Sequence, residues 1–214
     1  IKNYQPDIIH LNSSKISVIT DKVVRWGVYA FVFLFPLFFL PFNANILEVN
    51  KQLLLTVFAA VLLALWLGRT IAQGRFAFRK SFLNIGIVLF LIFYLVSGFL
   101  SKNIYQAFVG FGGNIAESFS SVLSLAVIFF IIANTLKKKE EILNAVFVLT
   151  LSGILAGVFA TLQLAGKFLL PWDFAKAVGF NTIGSVNALE IFLAGLLALS
   201  SVLSMRSSKY LILF

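Results

Sequence analysis

Cysteine is absent from this chain, and histidine is reduced to the single His10. The first absence excludes disulfides, thiolate-bound zinc and thiol catalysis. The second leaves no imidazole cluster for a metal site or a histidine-dependent base within these residues, so no metal and no cofactor are expected. Charge is also sparse: Asp, Glu, Lys and Arg make up 12% of the residues, while 60% are hydrophobic and the mean hydropathy is +1.00. Globular domains run near 25% charged, so this chain cannot hide its apolar surface in one water-soluble core. It reads as an integral membrane protein. Acidic residues are scarcest, 8 against 17 Lys and Arg, for a net charge of +9. In a soluble protein that excess would point to nucleic acid. Here the basic residues border apolar stretches, where anionic lipid headgroups meet them, and membrane lipids rather than nucleic acid are the expected partner.

The apolar stretches are each near the roughly 20 residues needed to cross a hydrocarbon core. They run from Val23 to Phe42, Lys51 to Ala72, Phe82 to Leu100, Glu117 to Leu136, Glu141 to Leu164 and Asn187 to Met205, and another begins at Tyr210. The expected fold is therefore all-α, a polytopic transmembrane helix bundle of six complete spans plus the start of a seventh. Residues 1–22 form a polar cytoplasmic tail, a solvated arm or short surface helix, and residues 23–214 the transmembrane domain. The first stretch is not a cleavable signal: a long polar tail precedes it, Pro36 and Pro41 interrupt it, and no small-residue cleavage pattern follows. The chain has no initiator Met, and its last residues stop just inside an apolar run, so the sequence reads as a fragment.

Basic residues crowd into every second connection. Lys2, Lys15, Lys22 and Arg25 precede the first span; Arg69, Arg75, Arg79 and Lys80 follow the second; Lys137, Lys138 and Lys139 follow the fourth; Arg206 and Lys209 follow the sixth. Only Lys51, Lys102, Lys167 and Lys176 remain for the opposite side. The positive-inside rule then sets the N-terminus in the cytoplasm.

Gly153 and Gly157 form a GxxxG pair in the fifth span, with Ser152, Ala156 and Ala160 at similar spacing, so another helix can approach closely there. That helix belongs either to the same bundle, the reading favoured for a chain with many crossings, or to a second copy. Few polar side chains interrupt the spans, which argues against a wide water-filled pore. No internal repeat of the kind found in secondary transporters is visible.

The outward connections carry the candidate residues. Between the third and fourth spans, Ser101 to Glu117 has apolar residues spaced for a short interfacial helix before Gly110, Gly112 and Gly113 turn the chain back. A nucleotide loop is excluded, because the third glycine of GxGxxG is missing and no strand precedes it. Asn114 and Glu117 read as caps of the next helix. The longest outward connection, 163–186, contains Pro171-Trp172-Asp173-Phe174, whose Trp suits a membrane interface. Asn187 and Glu190 lie three apart near the outer end of the sixth span. An ionisable group in a membrane segment is a functional candidate by default, whereas within about one turn of the surface water satisfies it cheaply. Lys51 is a parallel case, an interface lysine or a phosphate contact. Lys51, Asn187 and Glu190 are the candidate substrate-binding residues; no catalytic residue is identifiable.

The stretch Asn181-Thr-Ile-Gly-Ser-Val-Asn-Ala-Leu-Glu190, running on as an apolar helix to Leu199, resembles the glycine and asparagine signature of the O-antigen ligase and polymerase superfamily. Pro41-Phe-Asn-Ala-Asn-Ile-Leu-Glu-Val-Asn-Lys51 resembles that family's outward turn ending in a lysine. Leu100-Ser101 followed by Ala107-Phe-Val-Gly110 resembles its third outward loop. The resemblance extends from about Val23 to Met205.

It implies a multi-pass protein of the bacterial cytoplasmic (inner) membrane that acts in cell-envelope glycan assembly. Such enzymes transfer or polymerise a polyprenyl-diphosphate-linked glycan on the outer side, onto a glycan, lipid or protein acceptor, without a metal. In the family the diphosphate and acceptor are handled mainly by outward Arg residues and a His in a large loop between later spans. This sequence has neither an outward Arg nor an outward His, so those residues are expected beyond Phe214. It also has Ser185-Val186-Asn187 where Asn-Pro-Asn is common, and Glu190 at a position more often small or apolar. Ala177, Val178 and Gly179 stand where an arginine commonly precedes the signature. The alternatives are a multi-span permease or flippase, which predicts a repeated half or broken helices, and a noncatalytic membrane assembly factor, which predicts neither.

Overall fold

The computed structural model describes residues 7–41, 47–73, 82–110 and 115–204. Among them the chain forms seven α-helices, a short 3-10 turn and no strand: α1 (Asp7–Leu37), α2 (Glu48–Gln73), α3 (Phe82–Phe99), α4 (Ile104–Val109), α5 (Phe119–Thr135), α6 (Lys139–Leu164), the turn Asp173–Lys176, and α7 (Val186–Ser204). The expected start of a further span at Tyr210 lies outside the described residues, as do Gly112, Gly113 and Asn114.

Five helices follow the apolar stretches to within a few residues. The first differs at both ends. It begins at Asp7 because no Pro or Gly interrupts Asp7–Trp26, so the polar segment expected as a tail continues the helix. It stops at Leu37, ahead of Pro41, which disfavours helical backbone at the residue before it; Pro36, inside the helix, leaves the Val32 carbonyl without its helical donor. Three residues past the helix end, the Leu40 carbonyl accepts a 2.8 Å hydrogen bond from Asn50 Nδ2, which keeps that backbone group satisfied.

Among the described residues, three helices are long and apolar enough to cross a membrane: α2 over Glu48–Ile71, α3 over Phe82–Phe99 and α6 over Lys139–Leu164. This is a membrane protein by those segments. α5 and α7 are apolar but shorter; at 17 residues α5 rises about 25 Å, against roughly 30 Å of hydrocarbon. The first predicted span does not reach full length because the helix ends at Leu37, while Asp21, Lys22 and Arg25 bound its apolar part on the other side.

The chain divides into two compact units, one built from residues 1–28 and 55–137, the other from 29–54 and 138–214. In the first, Val24, Val28, Leu55, Ala59, Leu62 and Trp66 are buried. Gly27 allows close approach: a Cβ there would meet Leu62 Cδ2 at 2.6 Å, and the Leu62 side chain would have to shift. Trp66 packs edge-on against Phe130 with ring centroids 5.0 Å apart. Arg69 pairs with Asp21. α3 packs on α5 and on α4, the short helix expected before Gly110 in the Ser101–Glu117 connection. Asn103 caps α4 by accepting from Gln106 N at 3.1 Å, and Gly110 ends it at φ +79°. The cap of α5 is Ser118, whose Oγ accepts from Ser121 N, rather than Glu117, which offers its carbonyl to Tyr94 Oη.

In the second unit α6 lies against α7. A Cβ on Gly153 would meet Leu196 Cδ1 at 2.2 Å, and one on Gly157 would meet Leu193 Cδ1 at 3.6 Å. Ala156, Ala160 and Leu189 continue this seam as a buried cluster. The GxxxG face is therefore filled by α7 of the same chain and is not open to a second copy. Ser152 Oγ donates to Phe33 O at 2.7 Å, and Tyr29 Oη donates to Glu141 O at 3.1 Å, so α6 is tied to the second half of α1 at two heights. At the start of α6 the Glu141 carboxylate accepts the Lys138 backbone N–H at 3.2 Å, half of a capping box.

Candidate functional site

The second unit collects polar side chains where α2 begins and α7 begins. Asn181 organises the approach to α7. Its Oδ1 accepts from Ile183 N at 3.0 Å and Gly184 N at 2.9 Å, while its Nδ2 donates to Gly179 O at 3.3 Å. An asparagine that binds the backbone two and three residues on mimics a turn, and Gly184 at φ +151° follows because a side chain there is strained. Ser185 then caps α7, its Oγ accepting from Ala188 N at 3.1 Å.

This turn leaves the Ile183 carbonyl available, and Lys51 takes it: Nζ donates to Ile183 O at 2.8 Å across 132 residues of chain. Lys51 is half-buried, on the first turn of α2. An ammonium has three donors, and among the described residues the bond to Ile183 is the only side-chain bond Lys51 makes. The remaining N–H groups are available to an anion or an acceptor oxygen.

Asn187 and Glu190, the other two candidates, lie on the first turns of α7, and both are exposed. Neither makes a side-chain hydrogen bond among the described residues. The fold thus joins Lys51 to the segment that leads into α7 but does not engage Asn187 or Glu190 with it. Three further polar residues hold the surroundings. Asn50 is fully buried on Leu40 O. Gln163, also fully buried, donates Nε2 to Ala175 O at 2.9 Å, and its Oε1 has no partner among the described residues. Thr182, 5% exposed, likewise leaves Oγ1 without one. The asparagine two residues before Ile183-Gly184 is a turn signal in the sequence, and a lone glutamine in the last turn of an apolar helix marks a tertiary contact. Neither pattern says which partner is found.

An aromatic group flanks the site. Phe180 meets Phe39, Phe159 and Phe174 edge-on at centroid distances of 5.9, 6.2 and 5.6 Å, and Trp172 stacks on Phe174 at 5.9 Å with the rings 7° from parallel. On the exposed side Asp173 accepts from Lys176 Nζ at 2.7 Å, which holds the Asp173 carboxyl below its ordinary value, the hydrogen bond first and the lysine charge second. What the constellation offers chemically is one cation with spare donors beside a rigid, capped turn and an aromatic wall. Among the described residues it contains no hydrogen-bonded nucleophile and base pair. No protein-family model, curated protein or solved structure matches the chain.

Proposed function

We propose that this protein binds a polyprenyl-diphosphate-linked glycan at the outer side of a bacterial cytoplasmic membrane and belongs to the machinery that transfers or polymerises such glycans. The observation that carries the reading is the Lys51–Ile183 hydrogen bond. It joins the two segments that most resemble the O-antigen ligase and polymerase superfamily, the turn ending in Lys51 and the Asn181–Glu190 stretch, which are far apart in the chain. A lipid-linked diphosphate keeps its tail in the bilayer and presents its charge at the boundary, where a lysine on the first turn of a membrane helix meets it. Asn187 and Glu190, exposed on the next helix, are placed in this reading as contacts to the glycan or its acceptor. Transfer itself needs an additional cation and a base to activate the acceptor hydroxyl.

The same reading takes α1, α2, α3, α5, α6 and α7 as six crossings, the shorter ones accommodated by local thinning of the bilayer, with a further crossing from Tyr210. The N-terminus is cytoplasmic by the distribution of Lys and Arg. Reporter fusions at Glu140 and at Trp172 are expected to report cytoplasm and exterior respectively, and the reverse would overturn the orientation.

The deciding experiment is binding of a polyprenyl diphosphate to the chain in nanodiscs, followed by native mass spectrometry. Lys51→Arg is expected to retain binding, and Lys51→Met to lose most of it while the protein stays folded. Equal binding by all three proteins would remove Lys51 from the site. Transport of the lipid or a solute by the reconstituted chain, with no dependence on Lys51, would favour a permease or flippase.

A further inference from the structure

The connection between α6 and α7 is unusual in what it exposes. Within eleven residues it presents Phe168 at 42%, Leu169 at 60%, Trp172 at 38% and Val178 at 53% exposure, although none of them lies in an apolar helix. A connection facing water would be expected to carry polar groups at such positions.

Nor is this a loose segment. Gly166, at φ +73°, closes α6 while Lys167 N donates to Leu162 O at 2.9 Å, so the chain turns immediately at the helix end. Gln163 then holds Ala175 O from inside, Ala175 is fully buried, and Phe174 and Phe180 support Trp172 and the backbone between them. The exposed apolar groups are thus presented by a fixed scaffold.

We propose that this connection is a preformed flap seated in the headgroup layer of the bilayer, with Phe168, Leu169, Trp172 and Val178 reaching below the phosphates. Continuity of the surface identifies the occupant. The lipid-facing residues of α6, namely Leu151, Ile154, Leu155, Val158 and Leu164, are exposed along the helix and lead directly into Phe168 and Leu169. Charge agrees: Lys167, exposed beside this run, has no acidic partner among the described residues, and Asp173, the acid of the connection, is already paired with Lys176. Aromatic and aliphatic side chains flanked by lysine suit the boundary between hydrocarbon and phosphate. A carbohydrate platform is the competing use of an exposed Trp. It needs polar groups free to bind hydroxyls around the ring, whereas here the exposed polar neighbours, Asp173 and Lys176, bind one another and the other exposed side chains of 171–178 are Pro171, Ala177 and Val178.

The absence of cysteine makes the test direct. Single Leu169→Cys and Val178→Cys variants, each spin-labelled and reconstituted in nanodiscs of phosphatidylethanolamine and phosphatidylglycerol, are compared by power saturation with oxygen and with a water-soluble nickel complex. Leu155→Cys in α6 marks the bilayer interior and Glu140→Cys the aqueous phase. The labels at 169 and 178 are expected to favour oxygen, as at 155. Labels that instead relax with nickel as at 140 would overturn the proposal. Nickel access accompanied by immobilisation on adding a soluble oligosaccharide would overturn it in favour of a sugar platform. Two positions are used so that failure of one variant to fold still leaves a reading, and neither outcome depends on the binding of a diphosphate.

Discussion

α3 and α6 have nearly the same mean hydropathy in their most apolar windows, 2.3 and 2.2, yet 6% of the first is buried inside the protein and 22% of the second. Both meet the length and composition needed to enter a bilayer; they differ in what interrupts the apolar residues. α6 places Gly153, Ala156, Gly157 and Ala160 against α7 and sends Ser152 and Gln163 to backbone carbonyls elsewhere in its unit. α3 also has glycines, but a Cβ on Gly86 meets nothing within 4 Å, and Phe82, Leu83, Phe90 and Phe93 are more than half exposed. Hydropathy decides which segments suit lipid. Small residues and hydrogen-bonding side chains decide which of those segments also hold protein.

The sharpest way to break this contrast is to add bulk at equivalent glycines. Gly153→Leu drives a side chain into the space of Leu196, 2.2 Å from the first added carbon, and overpacking of this kind costs about 1–3 kcal/mol. Gly86→Leu adds its side chain to open surroundings and is expected to change stability little. Unfolding in mixed detergent, followed by circular dichroism, measures both. If Gly86→Leu proves as damaging as Gly153→Leu, the distinction between the two helices fails.

Next in size is Gln163→Leu. It keeps the volume but strips the Ala175 carbonyl of its donor, and a buried carbonyl left unpaired costs about 1–3 kcal/mol, partly offset because the unpartnered Oε1 leaves with the side chain. The expected signature is local, with faster amide exchange across residues 172–177 and little change in α3. Smaller still is Ser152→Ala, which removes the 2.7 Å bond to Phe33 O; hydrogen bonds between membrane helices average about 0.6 kcal/mol. A loss of several times that size would mean that Ser152 positions α1 rather than merely fastening it.

The same contrast explains what could be read in the sequence. α2, α3, α5, α6 and α7 were legible because a run of apolar residues is both helical and lipid-compatible, so one signal marks both properties. α1 separates them: Asp7–Trp26 is helical without being apolar, and apolarity alone could not find it. Past its other end, at Leu37, the Leu40 carbonyl finds its donor in Asn50, a pairing that apolarity does not mark. At the candidate site, Lys51 could be singled out as a charge at a membrane boundary. Its partner could not, because Ile183 contributes a carbonyl and any residue type carries one. Glu190 stood out for its charge, but only the fold reports that it lies exposed beside, rather than within, the bonded turn.

The smallest effect belongs to the exposed pair Asp173 and Lys176 and sets a lower bound for the comparison. The lysine holds the carboxyl below its ordinary value of 3.8. A carboxyl depressed in the folded state contributes stability that is present above the unfolded value and is lost as pH falls through the folded one. The pair therefore adds nothing to any pH dependence between neutrality and about pH 5, and what it contributes disappears below pH 4, given an unfolded Asp near 3.9. Because the carboxyl is fully exposed, solvent and salt screen the interaction, and Asp173→Asn is expected to leave the melting temperature at neutral pH unchanged. A carbon-detected titration of labelled aspartate should find the Asp173 midpoint below 3.8 and return it toward that value in Lys176→Gln. Were Asp173→Asn instead to unfold the connection, the flap would be held by its surface charges rather than by Gln163 and the aromatic residues beneath it.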